Sequence, residues 1–191
     1  MTHSPADIVE SRPTSPVQTA LTIIAGTALM TVAAKTQIPF WPVPMTLHTL
    51  AVMAFAVAFG PRIAVSIFLT YLAAGAAGLP VFSGSPERGI GLAYMTGPTG
   101  GYLLGYLIAS WLVGTLALGK GTLAHMGAML AGLVVVYGLG AAWLAAYVPL
   151  DRVLSVGVIP FLLGDLVKIG LVTVSGAMLP AIFAQLRGRR S

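Results

Sequence analysis

The sequence predicts an all-α membrane protein, a bundle of six transmembrane helices, and three observations carry that expectation. First, 57% of the 191 residues are apolar and only 8% are charged, with a mean hydropathy of +0.93, whereas globular domains carry roughly a quarter charged residues. So few charges cannot keep a surface of this size in water, which excludes a soluble enzyme, a nucleic-acid-binding domain and a disordered chain. Second, apolar stretches close to the length needed to cross a hydrocarbon core, about 20 residues for about 30 Å, recur between Pro, Gly and charged punctuation. Third, those stretches are continuous rather than alternating. Unpaired backbone cannot stand in lipid, and long non-alternating runs exclude a closed barrel, so helices remain.

Taken in order, residues 1–16 are polar, carry Asp7, Glu10 and Arg12, and read as a disordered cytoplasmic tail. They lack the positive start of a secretory signal, although Val32-Ala33-Ala34 has the small residues of a cleavage site. The first span covers 17–34. The second, 44–59, is short and stops at Gly60-Pro61-Arg62, a tight helix-to-helix turn. The third covers 63–79. The fourth opens at Gly97-Pro98-Thr99, with proline in a first turn, and runs to 118; Gly119-Lys120-Gly121 separates it from the fifth, 122–148. The sixth covers 158–186, closing one transmembrane domain over 17–186, and 187–191 form a basic cytoplasmic tail with Arg187, Arg189 and Arg190. The fifth and sixth runs exceed a perpendicular crossing and are expected to tilt or protrude. Six spans put both termini on one side. That side holds Arg12, Arg62, Lys120 and the tail arginines, against Lys35, Arg88 and Arg152 opposite, so the positive-inside bias places both termini in the cytoplasm of a cytoplasmic-membrane protein.

Within this frame Asp165 and Lys168 stand out, because both lie inside the sixth apolar run and a spacing of three puts them on one helix face. A charge at membrane depth is costly unless it is paired or faces a cavity. Two readings stay open: a structural ion pair, or a ligand site in which the carboxylate accepts N–H groups and the ammonium binds a carbonyl or carboxylate. The outer loop with Arg88 leads into Gly97-Pro98-Thr99-Gly100-Gly101-Tyr102, where a helix N-terminus offers N–H groups to an anionic ligand and the glycines equally permit tight helix packing. Between the first two spans, Pro39-Phe40-Trp41-Pro42-Val43-Pro44 is a stiff extended loop, either a lid over an apolar ligand or an interfacial aromatic anchor. Thr22, Gly26 and Ala34 form a small-residue stripe for close helix approach. Lys35 and Arg62 read as interfacial anchors. His3, His48 and His125 lack ligand spacing, so no metal site is expected. There is no cysteine for disulfide or thiolate chemistry. With neither a phosphate-binding Gly-Lys-Ser/Thr loop nor a dinucleotide fingerprint, nucleotide binding by this chain is not expected. An intramembrane enzyme using Asp165 as acid or base and Lys168 as nucleophile lacks any supporting constellation. A proton path lacks a second buried carboxylate.

Four motifs in this order, Val43-Pro44-Met45-Thr46-Leu47, Gly78-Leu79-Pro80-Val81-Phe82, Gly97-Pro98-Thr99-Gly100-Gly101-Tyr102 and Gly164-Asp165-Leu166-Val167-Lys168, resemble the BioY family of biotin transporters over residues 17–186. The resemblance implies a six-helix substrate-binding domain, the S component of an energy-coupling factor transporter. It further implies a biotin site near the outer face and work beside a transmembrane coupling subunit and two ATPases. On this view ATP is hydrolysed in the partners, and the chain carries no cofactor and is no enzyme. The family's ligand-facing positions fall on Asp165 and Lys168, with Gly97, Thr99, Gly100, Gly101, Tyr102 and Arg88 as further contacts and Phe40, Trp41 and Pro42 as the lid. Two departures are visible: His48 stands where the family usually has Gln, and the alanine-spaced docking motif of the first helix is not intact. A solitary or oligomeric biotin transporter without dedicated ATPases is the alternative implied.

Overall fold

The computed structural model describes residues 15–39 and 41–188, with side chains as far as residue 176. Most of the expected N-terminal tail, Phe40 of the expected lid and Arg189 and Arg190 of the basic tail lie outside the described residues. Helix α1 (Pro16–Lys35) opens on a capping box, in which the Ser15 hydroxyl accepts the Gln18 N–H and the Gln18 side chain returns to the Ser15 N–H. This satisfies two of the backbone donors that every helix start leaves open, and Pro16 needs no partner there. A short hairpin follows, β1 (Gln37–Ile38) against β2 (Met45–Thr46), with Gln37 opposite Thr46 and Ile38 opposite Met45. The sequence suggests only an extended loop, and prolines 39, 42 and 44 indeed stop the ladder after two pairs because proline donates no hydrogen bond.

Helix α2 (His48–Ala76) is formally one element, but Gly60 sits at φ 74°, ψ 179°, and Pro61 follows. A continuous helix would hold residues 23 apart about 35 Å from each other. Yet the His48 ring and the Tyr71 hydroxyl, that far apart in sequence, meet at 2.9 Å. The two arms, 48–59 and 61–76, are therefore folded back on each other, as expected for the second and third spans. The first arm is only about 18 Å long at 1.5 Å per residue, less than the hydrocarbon thickness of about 30 Å. Its first residues, His48 and Thr49, are buried directly after the hairpin.

Helix α3 (Gly91–Met95) is a single turn ahead of α4 (Gly100–Ala117), and α5 (Thr122–Leu144), α6 (Leu150–Gly157) and α7 (Ile159–Gly188) complete the chain. Among the described residues, five helical stretches are long and apolar enough to cross a membrane, as in a multi-pass membrane protein; one of them is α2, whose two arms match the second and third of the six expected runs. Neither short helix follows from the apolar runs. The surplus length of the fifth run is explained by a turn after Leu144, where Pro149 then opens α6.

Glycines set the helix spacing. A Cβ on Gly105 would lie 2.8 Å from the Val136 Cα, and one on Gly26 would lie 2.5 Å from the Ile67 Cδ1. Without a hydrophobic drive between helices in lipid, this close backbone approach is what holds them. Gly26 lies against Ile67 of α2 and Ala34 is buried, so these two residues of the α1 stripe pack inside the bundle. At Gly101 a Cβ would meet the Trp143 Cβ at 2.2 Å and the Leu139 carbonyl at 2.5 Å. Gly101→Ala is expected to cost about 1–3 kcal/mol by overpacking, seen as a lower melting temperature of the purified protein.

Candidate ligand-binding cavity

The α4, α5 and α7 helices, the first arm of α2 and the hairpin border a half-open cavity, whose empty space is about 500 Å³ with open solvent at its mouth included. Asp165 and Lys168 both line it. They are nearly fully buried, and the Lys168 Nζ donates to the Asp165 Oδ1 at 2.7 Å. The pair is also held by two other elements: the Tyr137 hydroxyl on α5 donates to the Asp165 Oδ2 at 2.8 Å, and Lys168 donates to the Thr46 carbonyl at 2.6 Å. The pair thus ties three elements, as the structural reading expects, and it also borders the cavity, where the ligand reading needs it. Ammonium has a third donor and the carboxylate has spare lone pairs, so both retain capacity for a ligand.

Aromatic rings supply the walls. Tyr102, Tyr106, Tyr94 and Phe161 line the space, and two of the hydroxyls are committed to protein partners: Tyr102 donates to the Gly157 carbonyl at 2.8 Å and Tyr106 meets the Thr49 hydroxyl at 3.0 Å. Tyr94, on the short α3 outside the spans, stacks on Phe82 at 4.7 Å. Burial pushes its hydroxyl above the ordinary range, so it stays neutral and able to donate, with Thr99 and Ser83 as hydrogen-bond partners.

The other expected residues divide. Thr99 lines the cavity with Tyr102, while Gly97, Gly100 and Gly101 stand outside its lining. The Gly97 carbonyl accepts the Trp143 indole N–H at 3.0 Å, and a Cβ on Gly100 would lie 2.2 Å from the Met95 carbonyl. The start of α4 does not present a free set of donors, since the Gly100 N–H goes to the Gly97 carbonyl and the Tyr102 N–H to the Thr99 carbonyl. Arg88, Trp41 and Pro42 also lie off the cavity. The Arg88 Nη1 donates to the Pro42 carbonyl at 3.1 Å and its guanidinium lies 5.6 Å from the centre of the exposed Trp41 ring. The loop instead reaches the cavity through Val43, Pro44, Met45 and Thr46. The segment that carries Arg88 is further tied to the end of α1, by the Lys35 Nζ donating to the Ser85 carbonyl at 2.7 Å, and to β1, by the Ser83 hydroxyl donating to the Gln37 side-chain oxygen.

Sequence reasoning missed Tyr137, Tyr106, Thr49 and His48 as cavity residues. The one available signal was polar tips inside apolar spans, with Tyr102 and Tyr106 four apart on one face of α4.

The profile describing the BioY family matches residues 5–185. This chain belongs to the BioY family. A "Biotin transporter BioY" of Thermotoga maritima is 39% identical over 145 residues, covering 75% of this chain and 84% of that one. A "Probable biotin transporter BioY" of Pyrococcus horikoshii is 36% identical over 141 residues, covering 74% and 83%. The crystal structure of the S-component for biotin from an ECF-type ABC transporter superposes with a TM-score of 0.71 at 27% identity, covering 83% of this chain and 88% of that chain. For a BioY-family cavity built this way, Tyr137→Phe removes one hydrogen bond to a charged group. The expected result is ligand affinity lower by about tenfold, measured by equilibrium binding, with folding retained.

Proposed function

We propose that this BioY-family chain captures biotin in an outward-facing cavity and acts as the substrate-binding S component of an energy-coupling factor transporter, a transport protein rather than an enzyme. The observation that carries this reading is the Asp165–Lys168 pair facing an aromatic cavity. Biotin presents a ureido edge with two N–H donors flanking a carbonyl. Asp165 can accept from that edge while Lys168 donates to it, a match of acceptor to donor on both sides. The ligand's own carboxylate would be repelled by Asp165, which places the acyl chain toward the open mouth beneath the 37–46 hairpin. The thioether ring then lies against the rings of Tyr102, Tyr106 and Phe161, a favourable surface for sulfur. With Arg62 and Lys120 at the closed end, that end faces the cytoplasm of a cytoplasmic-membrane protein, and both termini lie there. A transmembrane coupling subunit and ATPases supply the energy, since this chain carries no phosphate-binding loop. The chain works without a cofactor, with the lipid bilayer as its surroundings.

The test is accumulation of labelled biotin by cells without biotin uptake of their own, expressing this chain with or without an energy-coupling module. Uptake that requires the module is the expected result. Uptake without any coupling ATPase would identify a solitary or oligomeric transporter, and no uptake in either case would overturn the proposal.

A further inference from the structure

The chain of hydrogen bonds that ends on Lys168 starts from a residue with no role so far. His48, the first residue of α2, is 4% exposed and borders the cavity. Its Nδ1 lies 3.1 Å from the Thr46 hydroxyl, and its Nε2 lies 2.9 Å from the Tyr71 hydroxyl. Its backbone N–H donates to the same Thr46 hydroxyl at 3.2 Å. Both ring nitrogens are therefore committed inside the protein, and the imidazole is held between Tyr71 and Tyr106, each 5.4 Å from it by ring centres. The Tyr71 hydroxyl has the Val81 carbonyl as acceptor at 3.5 Å. A carbonyl only accepts, so Tyr71 takes the Nε2–H and Nδ1 is left to accept the Thr46 O–H.

Thr46, gripped in this way, is the residue whose carbonyl accepts the Lys168 ammonium at 2.6 Å. We infer that His48 is a positioning residue for the ligand: by clamping Thr46 where β2 passes into α2, it fixes the carbonyl that, together with Asp165, aims the Lys168 ammonium into the cavity. Lysine is a point charge on a flexible four-carbon stem, so its direction is set by its acceptors. Two of its three donors go to Asp165 and Thr46, and a displaced carbonyl re-aims the third. The peptide unit that carries this carbonyl is held on its other side by the Leu47 N–H, which donates to the Ala33 carbonyl at 3.1 Å, and His48 holds it from the Thr46 side chain. The strand pair is two residues long and the Leu47 N-cap makes no side-chain capping bond, so the Thr46 hydroxyl, bonding two residues on, serves in its place. This role rests on the reading that Lys168 meets the ligand.

The two ring nitrogens can be removed separately. His48→Asn puts an amide near the Nδ1 position and keeps the Thr46 partner; His48→Gln reaches the Nε2 position and keeps only Tyr71. Both variants and the wild type are purified in detergent and measured for biotin affinity and melting temperature. The expected result is affinity lower by about tenfold in His48→Gln, near wild type in His48→Asn, and similar melting temperatures. Wild-type affinity in both variants, loss in both, or loss in His48→Asn alone overturns the role of Thr46 clamping. A wild type that binds no biotin overturns the functional reading and this role with it.

Discussion

Lys168→Met and Asp165→Asn will each lower biotin affinity by roughly ten- to a hundredfold, and the double substitution will recover stability without recovering affinity. Each single change removes one charge-assisted contact to the ligand, worth about 1.5–3 kcal/mol, where each ~1.4 kcal/mol is tenfold. Each also leaves the opposite member of a buried pair uncompensated. Removing one partner of such a pair typically costs about 3–5 kcal/mol, whereas replacing both by uncharged residues of similar volume is near neutral. The geometry makes the pair suited to this test, since Lys168 and Asp165 meet at 2.7 Å with side chains only 11% and 5% exposed. Melting temperature and equilibrium binding, measured on the same samples, separate the two roles. Recovery of both in the double variant would reduce the pair to a packing device.

Gly60→Ala is expected to have the largest effect on folding among substitutions remote from the cavity. At φ 74° and ψ 179° this residue occupies backbone space that is essentially reserved to glycine, and forcing a side chain there costs about 1–3 kcal/mol. The cost is conformational and not steric, since a Cβ on Gly60 would lie 3.6 Å from Leu118 Cδ1, an ordinary contact. Gly114→Ala attacks the same turn by the opposite route, because its Cβ would fall 2.6 Å from the Pro61 nitrogen. Both variants should melt earlier and yield less folded protein, while the folded fraction keeps wild-type ligand affinity. An unchanged melting temperature in Gly60→Ala would contradict the tight reversal between the arms of α2.

What the sequence made legible follows from what a bilayer demands. Spans need length and apolarity, so the six apolar runs and the Gly60-Pro61-Arg62 turn could be read directly. The hairpin, α3 and α6 could not, because they are too short to leave a periodic signal and depend on contacts such as Tyr102 with the Gly157 carbonyl. At the cavity, Asp165 and Lys168 were visible because charge inside an apolar run is costly. Their partners were not, since Tyr137 lies 28 residues and Thr46 lies 122 residues away in sequence. The Gly97 to Gly101 segment shows why glycine alone decides little: a ligand face and a close-packed face look the same until Trp143 is placed against them. The Pro39 to Pro44 loop reads as a lid at Phe40, Trp41 and Pro42; among its described residues, those that line the cavity are Val43 and Pro44.

The most direct measurement is equilibrium binding of biotin to the purified wild-type protein, with other vitamins as competitors. Saturable binding at or below about 1 μM, a gain of ~8 kcal/mol, undisturbed by excess of the other vitamins, is the predicted result. No saturable binding, or displacement by an unrelated vitamin, would contradict the assignment of this cavity to biotin.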